Sequence, residues 1–180
     1  LLEKAHLDDI DVLPTMGMAT PYHYRNKAQV PVKMVHGQLQ TGFYKRGSHT
    51  LVPIEDFYIQ DPQIDKAIVV VRDLLRQYHV TPYDERTGKG VIRTVMVRRG
   101  YYSHEVMVVL VTNTKRLPMA DQIVKGIVAG VPEVKSIVQN INDKRTNRLL
   151  GDQDKTLWGK DEIHDQLLGI DFAISPLSFY

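Results

Sequence analysis

Two runs rich in Val and Ile, residues 91–99 and 105–112, are joined through Gly100-Tyr101-Tyr102-Ser103 and His104. Branched side chains of this kind favour the pleated backbone, and so short a connection demands an antiparallel hairpin. Helical periodicity brackets the pair. Asp61 is a good N-cap, and Pro62 stands at the first helical position, where its missing N–H costs nothing. Ile64, Ala67, Ile68, Val71, Leu75 and Tyr78 then recur at helical spacing, with Val69, Val70 and Leu74 widening the apolar stripe. A second helix is predicted from Met119 to about Ala129, between Pro118 and the terminating Gly130-Val131-Pro132. Residues 134–142 read as a further strand. The order helix, strand, strand, helix, strand is the α-β-β-α-β portion of a split βαβ layout. It predicts an α+β fold: an antiparallel or mixed sheet with helices on one face, in partly ferredoxin-like order.

Earlier in the chain, residues 29–35 alternate Val30, Val32 and Met34 against Pro31 and Lys33, and the proline implies an edge or irregular strand. His36-Gly37 turns the chain back through residues 38–45, forming a hairpin whose outward side carries Lys and Tyr. The tail beyond residue 153 is turn-rich and strand-like over 156–159, 162–168 and 170–174. The polar stretch 143–152 is read as an exposed loop. The 180 residues, 43% hydrophobic and 24% charged, are enough for one core without staples and exclude collagen, low-complexity disorder and a coiled coil. No apolar run approaches the roughly 20 residues that span a bilayer, and no basic region precedes an apolar signal core. The expectation is a soluble, cytoplasmic protein with no membrane partner. The chain opens Leu1-Leu2 and closes Ser178-Phe179-Tyr180, which reads as an internal segment of something longer.

A net charge of +2 names no partner, but its distribution is uneven. Residues 12–54 contain no Asp or Glu, while Arg25, Lys27, Lys33, Lys45 and Arg46 lie among His23, His36 and His49. Between Arg86 and Met119, seven Lys and Arg residues face only Glu105. Tyr22, Tyr24, Phe43, Tyr44, Tyr101 and Tyr102 are interleaved with these charges. Two readings fit: a face that neutralises phosphates and offers rings to unstacked bases, or a wet sheet face with Tyr covering an edge.

Catalytic signatures fail one by one. Zero cysteines leave no thiolate zinc site, cluster ligand or cysteine nucleophile among these residues. Thr87-Gly88-Lys89-Gly90 lacks the upstream glycine and following Ser or Thr of a phosphate loop, and no Gly-x-Gly-x-x-Gly follows a strand. The seven histidines show no two-histidine helical spacing beside a carboxylate. Asp8-Asp9 and Glu55-Asp56 are better explained as caps or solvated charges. A complete active site within this chain is not expected.

Tyr24-Arg25-Asn26-Lys27-Ala28-Gln29-Val30, Gly42-Phe43-Tyr44-Lys45-Arg46-Gly47-Ser48-His49, and Ile174-Ser175-Pro176-Leu177-Ser178-Phe179-Tyr180 together resemble the RNA uracil-5-methyltransferases. Among these, the bacterial enzymes that methylate large-subunit ribosomal RNA are most similar. Thr146-Asn147-Arg148-Leu149-Leu150-Gly151 and Leu157-Trp158-Gly159-Lys160 follow the same pattern. The resemblance implies that residues 1–180 are a central, RNA-positioning domain. It also implies an N-terminal oligonucleotide-binding TRAM barrel and a C-terminal Rossmann-type domain binding S-adenosylmethionine, both outside the chain. The implied chemistry adds a cysteine thiolate to uracil C6, so that C5 becomes nucleophilic enough to accept a methyl group, with the base flipped out of its stack. None of those catalytic groups lies here, so the chain is expected to be inactive alone.

Many members carry a four-cysteine iron–sulfur cluster, and the resemblance puts Phe57 at the fourth cysteine's place. An apolar ring cannot ligate iron, so no cluster is expected in this chain. Carried over from the motifs, Arg25, Lys27, Lys45 and Arg46 are the expected ribosomal-RNA contacts, with Tyr24 and Tyr44 as stacking rings. Arg98, Arg99 and Lys144 follow from charge distribution alone. Phe179 stands either at the threshold of the substrate pocket or as a packing aromatic at a domain junction. A non-catalytic RNA-binding module and a structural spacer are the competing readings.

Overall fold

The computed structural model describes residues 3–6, 10–145 and 148–179. The Asp8-Asp9 pair, Thr146-Asn147 and both chain ends at Leu1-Leu2 and Tyr180 lie outside the described residues. In chain order the elements are β1 (Lys27–Val35), β2 (Gln38–Tyr44), β3 (Leu51–Pro53), α1 (Pro62–Gln77), β4 (Ile92–Arg99), β5 (Val106–Thr112), α2 (Ala120–Gly130), β6 (Val134–Ile141), β7 (Gln153–Gly159), β8 (Ile163–Leu167) and β9 (Ile170–Ile174). Seven strands form one sheet in the order β3-β2-β1-β4-β5-β6-β7, and β8 and β9 form a separate hairpin.

The sheet is mixed. All neighbouring pairs are antiparallel except β5 and β6, which α2 connects as adjacent parallel strands. β1 lies antiparallel to both β2 and β4, so β2 and β4 run the same way with β1 between them. The split arrangement is therefore confined to that part of the sheet, and the second crossover is unsplit.

Alternation along β4 and β5 explains why both read as near-continuous apolar runs. Val95, Val97, Val106, Val108 and Leu110 pack under the two helices with Ile64, Ile68, Val71, Leu75, Ile123 and Ile127. Met96, Met107, Val109 and Val111 pack on the opposite face beneath Ile163 and Ile174 of the β8–β9 hairpin. Strands covered on both faces have no wet side to alternate with. Each fully buried aliphatic side chain contributes about 1.5–3 kcal/mol relative to exposure.

The Asp61 side chain accepts from the Gln63 N–H at 2.8 Å, and the proline occupies the first turn, as the cap signal requires. α2 packs on α1 through Gly126 and Gly130, where an added Cβ would collide with Leu74 and Val70. The two helices approach this closely because α2 has no side chain at those points.

Of the two readings of the Pro31 strand, edge or irregular, the structure shows the irregular one: β1 is interior to the sheet but changes partner along its length. Residues 27–31 of β1 pair with β4, whereas residues 32–35 pair with β2. Pro31 stands where the strand changes partner, a place in the ladder where a missing N–H is tolerated.

Candidate nucleic-acid interface

The β8–β9 hairpin covers only the β4–β5–β6 part of the non-helical face. Its β1–β2 part is left open, because Ala28, Val30 and Val32 point toward the helices while Lys27, Gln29, Pro31 and Lys33 point the other way. Over this open part lies a groove of about 610 Å³. Lys33, Arg93, Arg145 and Arg148 line it with Tyr44, Tyr83 and His49, and Glu85 is the acid among the lining residues. Glu85 receives Lys33 Nζ at 3.1 Å and has His49 Nδ1 at 3.7 Å. Arg93 lies 4.4 Å over the Tyr83 ring and donates to the carbonyls of Asn142 and Lys144, which ties loop 142–145 to the groove wall.

Lys27 opens onto the same sheet face. Burial holds its ammonium below the ordinary lysine value, and the positive charges of Arg98 and Arg25 lower it further. Its Nζ lies 5.6 Å from the centre of the Phe179 ring, which is otherwise fully exposed. Arg25 is exposed just ahead of β1, and its backbone is fixed to the approach to α1 by Arg25 N–H to Ile59 O and Asp61 N–H to Arg25 O. Lys45 and Arg46 are exposed in the turn between β2 and β3. The same turn carries His49, which lines the groove and lies 3.7 Å from Glu85. No ion pair engages Arg25, Lys27, Lys45 or Arg46 among the described residues.

Tyr44 lines the groove, and burial raises its phenol above the ordinary value. Tyr24 faces a second cleft together with Arg25. Lys144 is exposed but shares Asp152 with Arg148, at 2.8 Å each, and these contacts hold the Asp152 carboxyl below its ordinary value.

Arg98 does not join this surface, and Arg99 lines the second cleft instead while held in ion pairs, so the two do not extend the groove as their charge suggested. Arg98 is 2% exposed and donates to the carbonyls of Pro176 at 3.0 Å and Ser178 at 2.5 Å. Strand alternation points it beneath the last turn of the chain. Burial lowers its guanidinium below the ordinary value. Arg99 bonds Asp61 at 2.7 Å and has Glu133 at 3.6 Å, joining the start of α1 to the loop before β6. The acid-poor segment 86–119 therefore does not form one face. Conversely, Lys33, Arg93, Arg145, Arg148 and Tyr83 line the groove without having been singled out as contacts. Lys33 shares the two-residue period of Lys27, a legible signal. Arg93 gave none, because the register shift between Ile92 and Thr94 decides its direction.

Phe57 stacks on Phe43 with ring centres 4.9 Å apart, and its N–H donates to the buried Asp65, whose carboxyl is raised by burial. Among the described residues no group of three or more His, Asp or Glu side chains is arranged to hold a metal. Residues 113–119, which enter α2 within the one parallel crossover, contain no glycine. The close backbone approach that a dinucleotide-type or S-adenosyl cofactor needs at such a turn is therefore not built, and these residues do not fit that cofactor. No helix of the described chain is long and apolar enough to cross a membrane.

This chain is 64% identical over its full 180 residues to an uncharacterized RNA methyltransferase of Lactiplantibacillus plantarum, covering 39% of that protein. It is 52% identical over 176 residues to an uncharacterized RNA methyltransferase of Enterococcus faecalis, covering 38% of it. Over essentially its whole length the chain is similar to these RNA methyltransferases. It spans about two fifths of the length of the curated relatives it matches. No protein-family model matches it. Among solved structures, a Pyrococcus abyssi tRNA (uracil-54, C5)-methyltransferase in complex with S-adenosyl-L-homocysteine superimposes with a TM-score of 0.73. That match covers 90% of this chain and 38% of the archaeal one at 22% identity, a likeness of fold.

Proposed function

We propose that residues 1–180 form the central, RNA-positioning domain of an S-adenosylmethionine-dependent ribosomal-RNA uracil-5-methyltransferase, and that they do not methylate RNA alone. The observation that carries this reading is the uncovered, cation-lined part of the sheet in a chain whose relatives are named RNA methyltransferases. Its task is electrostatic and geometric. Lys27, Lys45, Arg46 and Arg25 take phosphates and fix the register of a folded RNA, while Tyr44 and Tyr24 offer flat faces to splayed bases. Arg25, Lys45 and Arg46 are exposed and engaged in no ion pair among the described residues, so the energy gained on meeting a phosphate is not spent on breaking an internal pair.

The cofactor and the nucleophile belong, on this reading, to residues beyond this chain, since the crossover turn does not fit the cofactor and the sequence holds no cysteine. TRAM and Rossmann-type domains would lie in cis, and the working compartment is the cytoplasm.

The test is methyl transfer. The whole protein carrying this segment, incubated with labelled S-adenosylmethionine and unmodified ribosomal RNA, should yield 5-methyluridine, and the 180-residue chain alone should yield none. Label appearing only in transfer RNA, only at bases other than uracil, or with the isolated chain would overturn the assignment.

A further inference from the structure

At the end of the sheet where β4 turns into β5, away from the 610 Å³ groove, lies a second cleft of about 370 Å³. That volume falls in the roughly 300–1,000 Å³ range of small-ligand sites. Tyr24, Tyr101, Tyr102 and His104 supply ring faces, Arg25 supplies an exposed cation, and Arg99 lines it while paired to Asp61. Tyr101 and Tyr102 are 66% and 62% exposed, with ring centres 4.9 Å apart and planes at 80°.

Two large rings left in water on a hairpin turn are ordinarily mobile, but here their backbone is clamped. Asp165, 3% exposed, accepts the successive N–H groups of Tyr101, Tyr102 and Ser103 at 2.6, 3.0 and 2.9 Å. A buried carboxylate placed in a nest of three main-chain donors fixes the turn in one conformation. The β8–β9 hairpin thus fixes the backbone that carries an exposed aromatic pair before any ligand arrives. Preorganised rings stack on a base at little ordering cost.

We propose that this cleft binds one unstacked nucleotide of RNA, its base against Tyr101, Tyr102 and Tyr24 and its phosphate toward Arg25. The proposal rests on the RNA-positioning reading and adds to it a separate, sequence-tolerant stacking subsite. The chemistry favours a nucleotide over an apolar protein segment, because the lining offers rings, the Arg25 cation, Asn26 and the mutually paired Arg99 and Asp61, but no aliphatic side chain. Stacking on aromatic rings accepts any base, and one cation beside the rings suits the phosphate that accompanies it.

The experiment measures binding of the 180-residue chain to a fluorescent single-stranded RNA and to a duplex RNA. Tyr101→Ala with Tyr102→Ala should weaken single-strand binding about tenfold, in line with the loss of one stacked base. It should leave duplex binding and the salt slope unchanged, and Tyr101→Phe with Tyr102→Phe should bind as the parent does. Both rings are exposed, so the thermal midpoint should stay constant. As a second arm, Asp165→Asn frees the turn and should weaken single-strand binding while the tyrosines remain. The charge variant Lys45→Glu with Arg46→Glu separates the two claims. If it weakens RNA binding while the double alanine variant binds single strands as the parent does, the stacking subsite is wrong and the positioning reading stands. If neither variant weakens binding, both are wrong. Equal weakening of duplex and single strand by the alanine variant also overturns the subsite.

Discussion

The guanidinium of Arg98 donates to the carbonyl of Ser178 across 80 residues of sequence, tying the middle strand of the sheet to the last described turn of the chain. Its partners are main-chain oxygens, and no ion pair engages it among the described residues. Among the described residues Nε and Nη1 are buried there without a hydrogen-bond partner, so the residue holds the turn at a desolvation cost. Arg98→Ala should therefore lower stability by about 2 kcal/mol, from two lost charge-assisted bonds offset by relief of a buried charge. Denaturant unfolding checks the magnitude. Faster amide exchange at Ser175 and Ser178, with the β5 amides unchanged, checks the place.

Asp165 serves the β4–β5 turn in a comparable way. Asp165→Ala removes the acceptor of three N–H groups and should cost about 2–3 kcal/mol, the scale of charge-assisted hydrogen bonds in a buried site. Urea unfolding of the variant against the parent gives the number, and a loss under about 0.5 kcal/mol would show that the turn is set by its own residues.

Much of this architecture was legible beforehand, for identifiable reasons. Asp61-Pro62 and the stripe from Ile64 to Leu75 encode α1 by cap and period, and the chain follows both. The hairpin of β4 and β5 was readable because two Val-rich runs separated by so few residues have little else to do. Partner exchange at Pro31 was not, because a proline signals a missing donor and says nothing of which neighbour lacks an acceptor there. Counting charges along the sequence likewise brought Arg98 and Arg99 together with Lys27. Burial of β4 on both faces separates them, and that depends on the β8–β9 hairpin more than 60 residues downstream. Loop 142–145 is tied to the groove wall by Arg93, through contacts between residues 49 and 51 apart in sequence that no local signal announces.

Lys27 gives the pH prediction. Its folded-state value is lowered by burial and by Arg98 and Arg25, so its proton is lost at lower pH than in an open chain, and a bound phosphate should raise the value again. RNA affinity should then begin to fall as pH rises while still below the ordinary lysine value. Lys27→Arg, which keeps its charge throughout, should flatten that part of the profile. Fluorescence titrations of the parent and the variant at several pH values, at fixed ionic strength, provide the comparison.

The central claim is that the open part of the sheet meets RNA through phosphates. The most direct measurement is the dependence of RNA affinity on salt for the parent chain and for Lys27→Gln with Lys45→Gln. The account predicts weaker binding and a log–log slope shallower by about two, one for each phosphate contact removed. An unchanged slope and an unchanged dissociation constant would contradict it.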